Sequence, residues 1–414
     1  MSPAENKLSV YHNINLLYIL EGSPLRKGST MTDVKPLQNG YIVVEAGKIK
    51  EVGSGNGYLK YQDANFYSLA GKTVVPGFID SHTHLVFAGS RENEMRRKLQ
   101  GESYLEILKS GGGILSTVRK TREASFDTLY KEARTTLERM LSFGVTSVEA
   151  KSGYGLDLET ELKQLEVVAK LKAEGPQTLV STFMGAHALP GEYHDNRQAY
   201  FALLEKALYE IKKRNLASFV DIFCEEGVFS VSESREFLGL AKELGFKLKI
   251  HADEMSALGG AALATELKAV SAEHLLASSD EDLQKLASSD TIAVLLPLTS
   301  FYLNKPFAKA RAMIDYGCAV ALASDYNPGS SPSENLQLAM QFAVLKMKMT
   351  PEEALTAVTV NAAKASGLEA TKGRLMPGMD ADFVVLAAPN LDYFFYRFGI
   401  NLVEEVYIKG KKVK

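Results

Sequence analysis

At 414 residues, with 46% hydrophobic and 23% charged side chains, the chain is long enough for one large core or two unequal ones and has an ordinary globular composition. Its formal net charge of -3 leaves no basic excess to displace counterions, which argues against a general nucleic-acid binder. The longest apolar stretch, Thr291 to Leu303, is short and broken by Pro297, the start at Met1 to Ser9 is polar, and the two cysteines, Cys224 and Cys318, make no disulfide framework; a cytoplasmic protein without membrane contact is expected.

From Leu8 to Leu69, short alternating runs such as Gly40–Val44 and Lys48–Val52, parted by Ala46-Gly47, predict β-hairpins with no helix between them. A different rhythm follows, in which strand-length apolar runs alternate with segments of helical period. The strands fall at Val74–Asp80, Val145–Glu149, Thr178–Met184, Phe219–Cys224, Lys247–His251, Ala269–His274, Thr291–Leu298 and Ala319–Asp325. Helices are predicted over Phe126–Ser142, Glu159–Ala173, Arg197–Lys213, Ser232–Leu244 and Leu283–Ala287. Eight strands separated by crossover helices predict an α/β fold with a closed (β/α)8 TIM-type barrel, although an open doubly wound sheet shares the same rhythm. The tail, with Phe383–Leu386, Val403–Lys409 and then Gly410-Lys411, returns to hairpin texture. The two ends, 1–73 plus 374–414, are therefore expected to form one small β-sandwich domain beside a barrel domain of 74–373.

Of the seven histidines, His82, His84, His187, His251 and His274 fall at or just past the C-terminal end of a predicted strand, the rim where barrel active sites are built. In His82-Thr83-His84 the two imidazoles are spaced to share one face of an extended segment. Alone, this pair also fits two hydrogen-bonded histidines. Joined by His251, ending the fifth strand, and Asp325, ending the eighth, it makes a nitrogen/oxygen set suited to Zn2+ or Fe with room for water. Asp325 can also accept a proton from a water whose pKa a cation lowers, while a turn role before Asn327-Pro328-Gly329 is compatible with both. His274 is expected to polarise a substrate carbonyl, with metal ligation or a structural role as the alternatives. Glu254, three residues after His251, can meet ring N–H groups, and Asp253 is its rival.

Several residues can hold a substrate anion. Arg91 can bind a carboxylate bidentately or form a salt bridge with Glu92 or Glu94. Tyr154, between Gly153 and Gly155, is expected on a flexible rim loop. The Asn327–Pro332 turn, with Gly329 and Ser330, can present donors at a helix start. Tyr104 and Gly111-Gly112-Gly113 fit a lid, though flexibility alone explains the glycines.

The segment Pro76-Gly77-Phe78-Ile79-Asp80-Ser81-His82-Thr83-His84 resembles the first-strand signature of the amidohydrolase superfamily, and Gly373–Leu386 looks like that superfamily's return to its small β-domain. Three narrower stretches, Phe87–Arg91, Lys151–Leu156 and Asp325–Ser330, with Ser103-Tyr104 and Gly111–Ile114, are similar to the imidazolonepropionase family of histidine degradation. This resemblance implies metal-dependent hydrolysis of the ring C–N bond of 4-imidazolone-5-propanoate to N-formimidoyl-L-glutamate. By resemblance His82, His84, His251 and Asp325 are the metal ligands. Arg91, Tyr104, Tyr154, His187, Glu254 and His274 then line the pocket, with Asn327, Gly329 and Ser330 near the substrate carboxylate. A deaminase or cyclic-ureide hydrolase of the same superfamily is the alternative. Some relatives bridge two metals with a lysine on the fourth strand; here that strand ends Ile222-Phe223-Cys224-Glu225 and Lys151 follows the second, so one Zn2+ or Fe ion per subunit is expected. A homodimer is the family's expectation.

Overall fold

The computed structural model describes residues 8–102 and 112–414. Its strands in chain order begin with β1 (Ser9–Tyr18), β2 (Pro36–Glu45), β3 (Lys48–Ser54), β4 (Asn65–Ser68) and β5 (Thr73–Pro76). Then come β6 (Phe78–Thr83), β7 (Val145–Lys151), β8 (Thr178–Ala186), β9 (Phe219–Cys224), β10 (Lys247–Ala252), β11 (Ser271–His274), β12 (Ile292–Leu295) and β13 (Ala319–Leu322). The last three are β14 (Phe383–Leu386), β15 (Val403–Ile408) and β16 (Lys411–Lys412).

Strands β6 to β13 pair in parallel in sequence order. The helices between them bury one stripe each. Phe126–Ser142, started by Ser125 accepting the Thr128 N–H, buries Leu129, Ala133, Thr136, Leu137 and Met140, spaced to face the sheet. Closure comes at the seam between β6 and β13. There Thr83 bridges Tyr326, the Asp325 N–H donates to the His82 carbonyl at 3.1 Å, and the His84 N–H donates to the Tyr326 carbonyl at 2.9 Å. One residue pair before the ligands, the Asp80 carboxylate accepts the Ser324 N–H at 3.0 Å and the Ser324 hydroxyl at 2.6 Å. The barrel is thus closed, as the rhythm of eight strands predicts, and not doubly wound.

The terminal strands form a second sheet in the order β16-β15-β14-β5-β1-β2-β3, with β4 alongside β1. It folds over on itself. Three strand spacings separate β15 from β1 along the sheet, about 14 Å if flat, yet the rings of Tyr11 and Tyr407 lie 5.0 Å apart. Tyr11, Phe383 and Tyr407 pack between the layers, and the Tyr11 hydroxyl donates to the Gly410 carbonyl at 2.6 Å.

Differences from the sequence reading have local causes. The expected first barrel strand, Val74–Asp80, is two strands: Val74 pairs with Val385 in the terminal sheet, and the barrel begins only after Gly77. The seventh strand stops at Leu295 because Pro297 opens a helix, Pro297–Tyr302, where its missing N–H costs nothing. The eighth stops at Leu322, and Asp325 lies in the turn beyond. Two short 3-10 turns, Gly28–Thr32 and Gly57–Lys60, interrupt the first hairpins. Among the described residues no helix is long and apolar enough to cross a membrane.

Gly77 sits at the crossing from one sheet to the other. A Cβ there would lie 2.2 Å from the Thr146 Oγ1 and 2.7 Å from its Cγ2. Gly77→Ala is therefore expected to destabilise the protein by about 1–3 kcal/mol through overpacking, read as a lower midpoint in thermal unfolding. Thr146→Ala in the same chain should recover part of that loss; an unchanged midpoint for Gly77→Ala alone would contradict the packing described.

Candidate metal centre and substrate pocket

The strands deliver their functional groups to one place. His82 is on β6 and His84 just beyond it, His251 is on β10, His274 ends β11, and Asp325 follows β13. All five are buried. The ligand atoms of His82, His84 and Asp325 lie within 4.8 Å of one another, as do those of His82, His251 and His274. Both sets contain His82, which links His84 and Asp325 on one side to His251 and His274 on the other.

Their orientation is fixed from behind. The His82 Nδ1 faces the Glu273 Oε2 at 2.6 Å, and the His251 Nδ1 faces the Asp221 Oδ2 at 3.0 Å. An ionised carboxylate only accepts, so each Nδ1 carries the proton and each Nε2 keeps a lone pair. Both Nε2 atoms are buried and have no hydrogen-bond partner. The Thr299 hydroxyl donates to the Asp325 Oδ2 at 2.5 Å, leaving Oδ1 3.4 Å from the His82 Nε2 and 3.7 Å from the His84 Nε2. Burial holds His82, His84 and His274 well below the ordinary imidazole pKa, with the Lys151 ammonium adding to the effect on His82. Burial likewise pushes Asp325 well above the usual carboxylate range. Buried polar atoms normally find partners. Two lone pairs without partners beside a desolvated carboxylate are satisfied together by a divalent cation, and the donor set suits one.

The chain turns abruptly at these strand ends. Asp253, His274 and Asp325 have φ of 50°, 72° and 52°, a left-handed conformation that costs a non-glycine residue about 1–3 kcal/mol and clusters at functional sites.

Around this centre lie the other expected groups. His187, just past β8, stacks on His84 with ring centroids 4.7 Å apart. Tyr154 is buried, with its ring 5.6 Å from that of His84 and 5.3 Å from that of His187, so it is not on a flexible rim loop. The Glu161 carboxylate accepts the N–H groups of Gly153, Gly155 and Leu156, at 3.1, 2.8 and 2.9 Å, and so pins a loop whose glycines suggested mobility. Burial raises the Tyr154 pKa, which keeps the phenol a hydrogen-bond donor. The Glu254 Oε2 lies 3.7 Å from the His274 Nε2, and desolvation pushes its pKa up to about 7. Its rival Asp253 is committed elsewhere, accepting the N–H groups of Gly259, Gly260 and Ala261 and the Ser278 hydroxyl.

Arg91 forms the salt bridge with Glu94 that the sequence allowed. Its Nε and Nη2 donate to the Glu94 Oε2 at 3.0 and 2.8 Å, while its Nη1 lies 2.0 Å from where a Cβ on Gly329 would stand. Asn327 locks that turn: its Oδ1 accepts the N–H groups of Gly329 and Ser330, both at 2.8 Å, and its amide donates to the Asp325 carbonyl at 2.7 Å and the Ser330 hydroxyl at 2.9 Å. These backbone donors are used internally, and the next helix begins only at Leu336, so the turn is not the helix start expected for anion binding. A cavity of about 860 Å3 opens beside it, lined by Phe87, Arg91, Tyr302, Tyr326 and Pro328, with no histidine among the described residues of its wall. Tyr104 and Gly111 lie outside the described residues.

Glu273, Asp221 and Thr299 were not singled out from the sequence. The first two were recoverable: Asp221 is the one charged residue in an otherwise apolar strand and Glu273 directly precedes the rim histidine His274, and a strand interior tolerates such a charge only with a partner. Thr299 carries no such signal, because its approach to Asp325 depends on the helix after β12.

Metal analysis of protein prepared without chelator is expected to give one equivalent of a first-row transition metal per chain, and at least about tenfold less for His82→Ala or His251→Ala. Two tightly held equivalents, or full retention in either variant, would contradict a single centre built on these ligands.

The model of the amidohydrolase family matches residues 73–413. The imidazolonepropionase of Fusobacterium nucleatum is 53% identical over 402 residues, covering 96% of this chain and 97% of that protein. The imidazolonepropionase of Alkaliphilus oremlandii is 52% identical over 397 residues, covering 95% and 94%. Among solved structures, an adenosine deaminase from Xanthomonas campestris with bound zinc superposes with a TM-score of 0.71 at 16% identity, over 97% of this chain and 92% of that one. With the match to its model extending from β5 almost to the last residue, and with relatives more than half identical across nearly their whole length, the chain belongs to the amidohydrolase family and, within it, to the imidazolonepropionases.

Proposed function

We propose that this protein hydrolyses 4-imidazolone-5-propanoate to N-formimidoyl-L-glutamate in histidine degradation. The observation that carries the reading is a shared loop. Asp325, at the cation-fitting centre, opens the turn whose Gly329 lies against the Arg91 guanidinium, so a hydrolytic centre and a carboxylate receptor are held at a fixed separation. The names and identity of the relatives support it.

In this reading His82, His84, His251 and Asp325 hold one Zn2+ or Fe ion per subunit, since these ligands suit either metal. The bound ion supplies Lewis-acid polarisation of the ring carbonyl and a lowered pKa for water. Asp325 accepts a proton as water adds to the carbonyl carbon and returns it to the ring nitrogen as the C–N bond breaks, so no further reactant is needed. His274 donates a hydrogen bond to the carbonyl oxygen as it gains charge. Glu254 accepts a ring N–H, and His187 borders the ring from its stack on His84. Arg91, held by Glu94, and the Tyr154 phenol take the propionate. Asn327, Gly329 and Ser330 shape the floor under that carboxylate. Gripping this remote anion orients the ring and lowers the barrier at the distant bond. The same reading divides the chain into a catalytic barrel and a small β-sandwich domain built from both ends, with the boundary expected at 73/74 moved to Gly77, where the chain crosses from one sheet to the other.

Arg91 separates this activity from a deaminase of the same fold, because a neutral base needs no guanidinium. Arg91→Ala is expected to raise KM for the imidazolone propanoate by roughly 10- to 100-fold, the worth of a charge-assisted hydrogen bond, with a smaller change in kcat. Unchanged KM, together with ammonia release from a purine or pyrimidine substrate, would favour the deaminase.

A further inference from the structure

Barrel interiors of this type are filled mainly by branched apolar side chains. Here the interior layer that supports the histidines is charged. Glu149 and Lys151 on β7, Asp221 on β9, Lys249 on β10 and Glu273 on β11 all have fully buried side chains. They form one unbroken chain between two metal-site imidazoles. From His251 it runs to Asp221 at 3.0 Å, to Lys151 at 2.8 Å, to Glu149 at 2.9 Å, to Lys249 at 3.4 Å, to Glu273 at 3.6 Å, and ends on His82 at 2.6 Å.

Burying five ionisable groups costs several kcal/mol per ion unless they are paired, and hydrophobic packing would fill the same space. The central member is the least expected. The Glu149 side chain touches neither imidazole: its Oε1 takes Lys151, Lys249 and the Thr182 hydroxyl, and its Oε2 is buried with no hydrogen-bond partner. An amide of the same shape would fill this place with less desolvation. What only the carboxylate contributes is charge. Counting formal charges, the carboxylates of Asp221, Glu149 and Glu273 against the ammoniums of Lys151 and Lys249 leave the chain one surplus negative charge. Without Glu149 the two ammoniums would also pull harder on Asp221 and Glu273, making those carboxylates poorer acceptors for the imidazole N–H groups and the imidazoles poorer donors to a cation.

We propose that Glu149 is a positioning residue that sets the charge of the buried Asp221–Lys151–Glu149–Lys249–Glu273 chain, and through it the affinity of the His82 and His251 imidazoles for a divalent cation. This rests on the reading of His82 and His251 as metal ligands, and the test separates the two. Zinc dissociation constants are measured by competition with a chromogenic chelator on the full chain, alongside thermal unfolding of the metal-free protein. Glu149→Gln is expected to weaken zinc binding by about 10- to 100-fold, the range for residues that support metal ligands. Glu149→Gln combined with Lys249→Met restores the surplus charge and should bind within about threefold of the parent, short of the smallest loss in that range. Unchanged zinc affinity in Glu149→Gln, or a double variant no tighter than the single one, overturns the inference even if the unfolding midpoint falls. If Glu149→Gln does not fold, the double variant decides alone: a loss of about tenfold or more overturns it. Parent protein that binds no zinc overturns the ligand reading instead.

Discussion

The barrel must close, and the way it closes places the chemistry. Between β6 and β13 the regular ladder gives way to a few contacts: the Asp80 carboxylate on Ser324, the His82 carbonyl on the Asp325 N–H, and the bridge from Thr83 to Tyr326. The seam brings groups more than 240 positions apart within 3.4 Å of each other, as His82 and Asp325 show. Asp80 makes this possible by replacing missing backbone pairing with two bonds from one residue. Burial pushes its pKa up to about 7, so those two bonds offset a real desolvation cost. Closing the tube and assembling the centre are therefore one event.

Behind the centre, polarity is arranged by parity. Along a strand, alternate residues face inward, so Lys249 and His251 share a face of β10, Glu149 and Lys151 a face of β7, and Ser271 and Glu273 a face of β11. The opposite faces, such as Leu248 and Ile250 or Val148 and Ala150, join the apolar layer under the helices. One set of strands thus serves a dry helical shell on one side and a buried ionic lattice on the other. The lattice fixes imidazole tautomers through direct carboxylate contacts on the buried, inner side of the centre.

Much of this was legible in the residue order. Alternation and helical period locate the eight strands and the outer helices, because each depends on short-range spacing; β9 and the helix Phe126–Ser142 fall where the pattern puts them. The rim histidines were legible for the same reason. What escaped depends on contacts between distant segments. The split of Val74–Asp80 at Gly77 reflects which sheet offers a partner, and Thr299 meets Asp325 only because a proline starts a helix after β12. Tyr154 misled because glycines signal backbone freedom, and nothing local reveals that Glu161 takes that freedom away.

The absence of a side chain at position 329 has a consequence of its own. The Arg91 Nη1 occupies the space a methyl group would fill, while the backbone there imposes no left-handed twist that would exclude one. Alanine would be tolerated by the turn and would push aside the tip of its neighbour. A single hydrogen atom thereby sets where the guanidinium rests, and any larger residue at this position would move it.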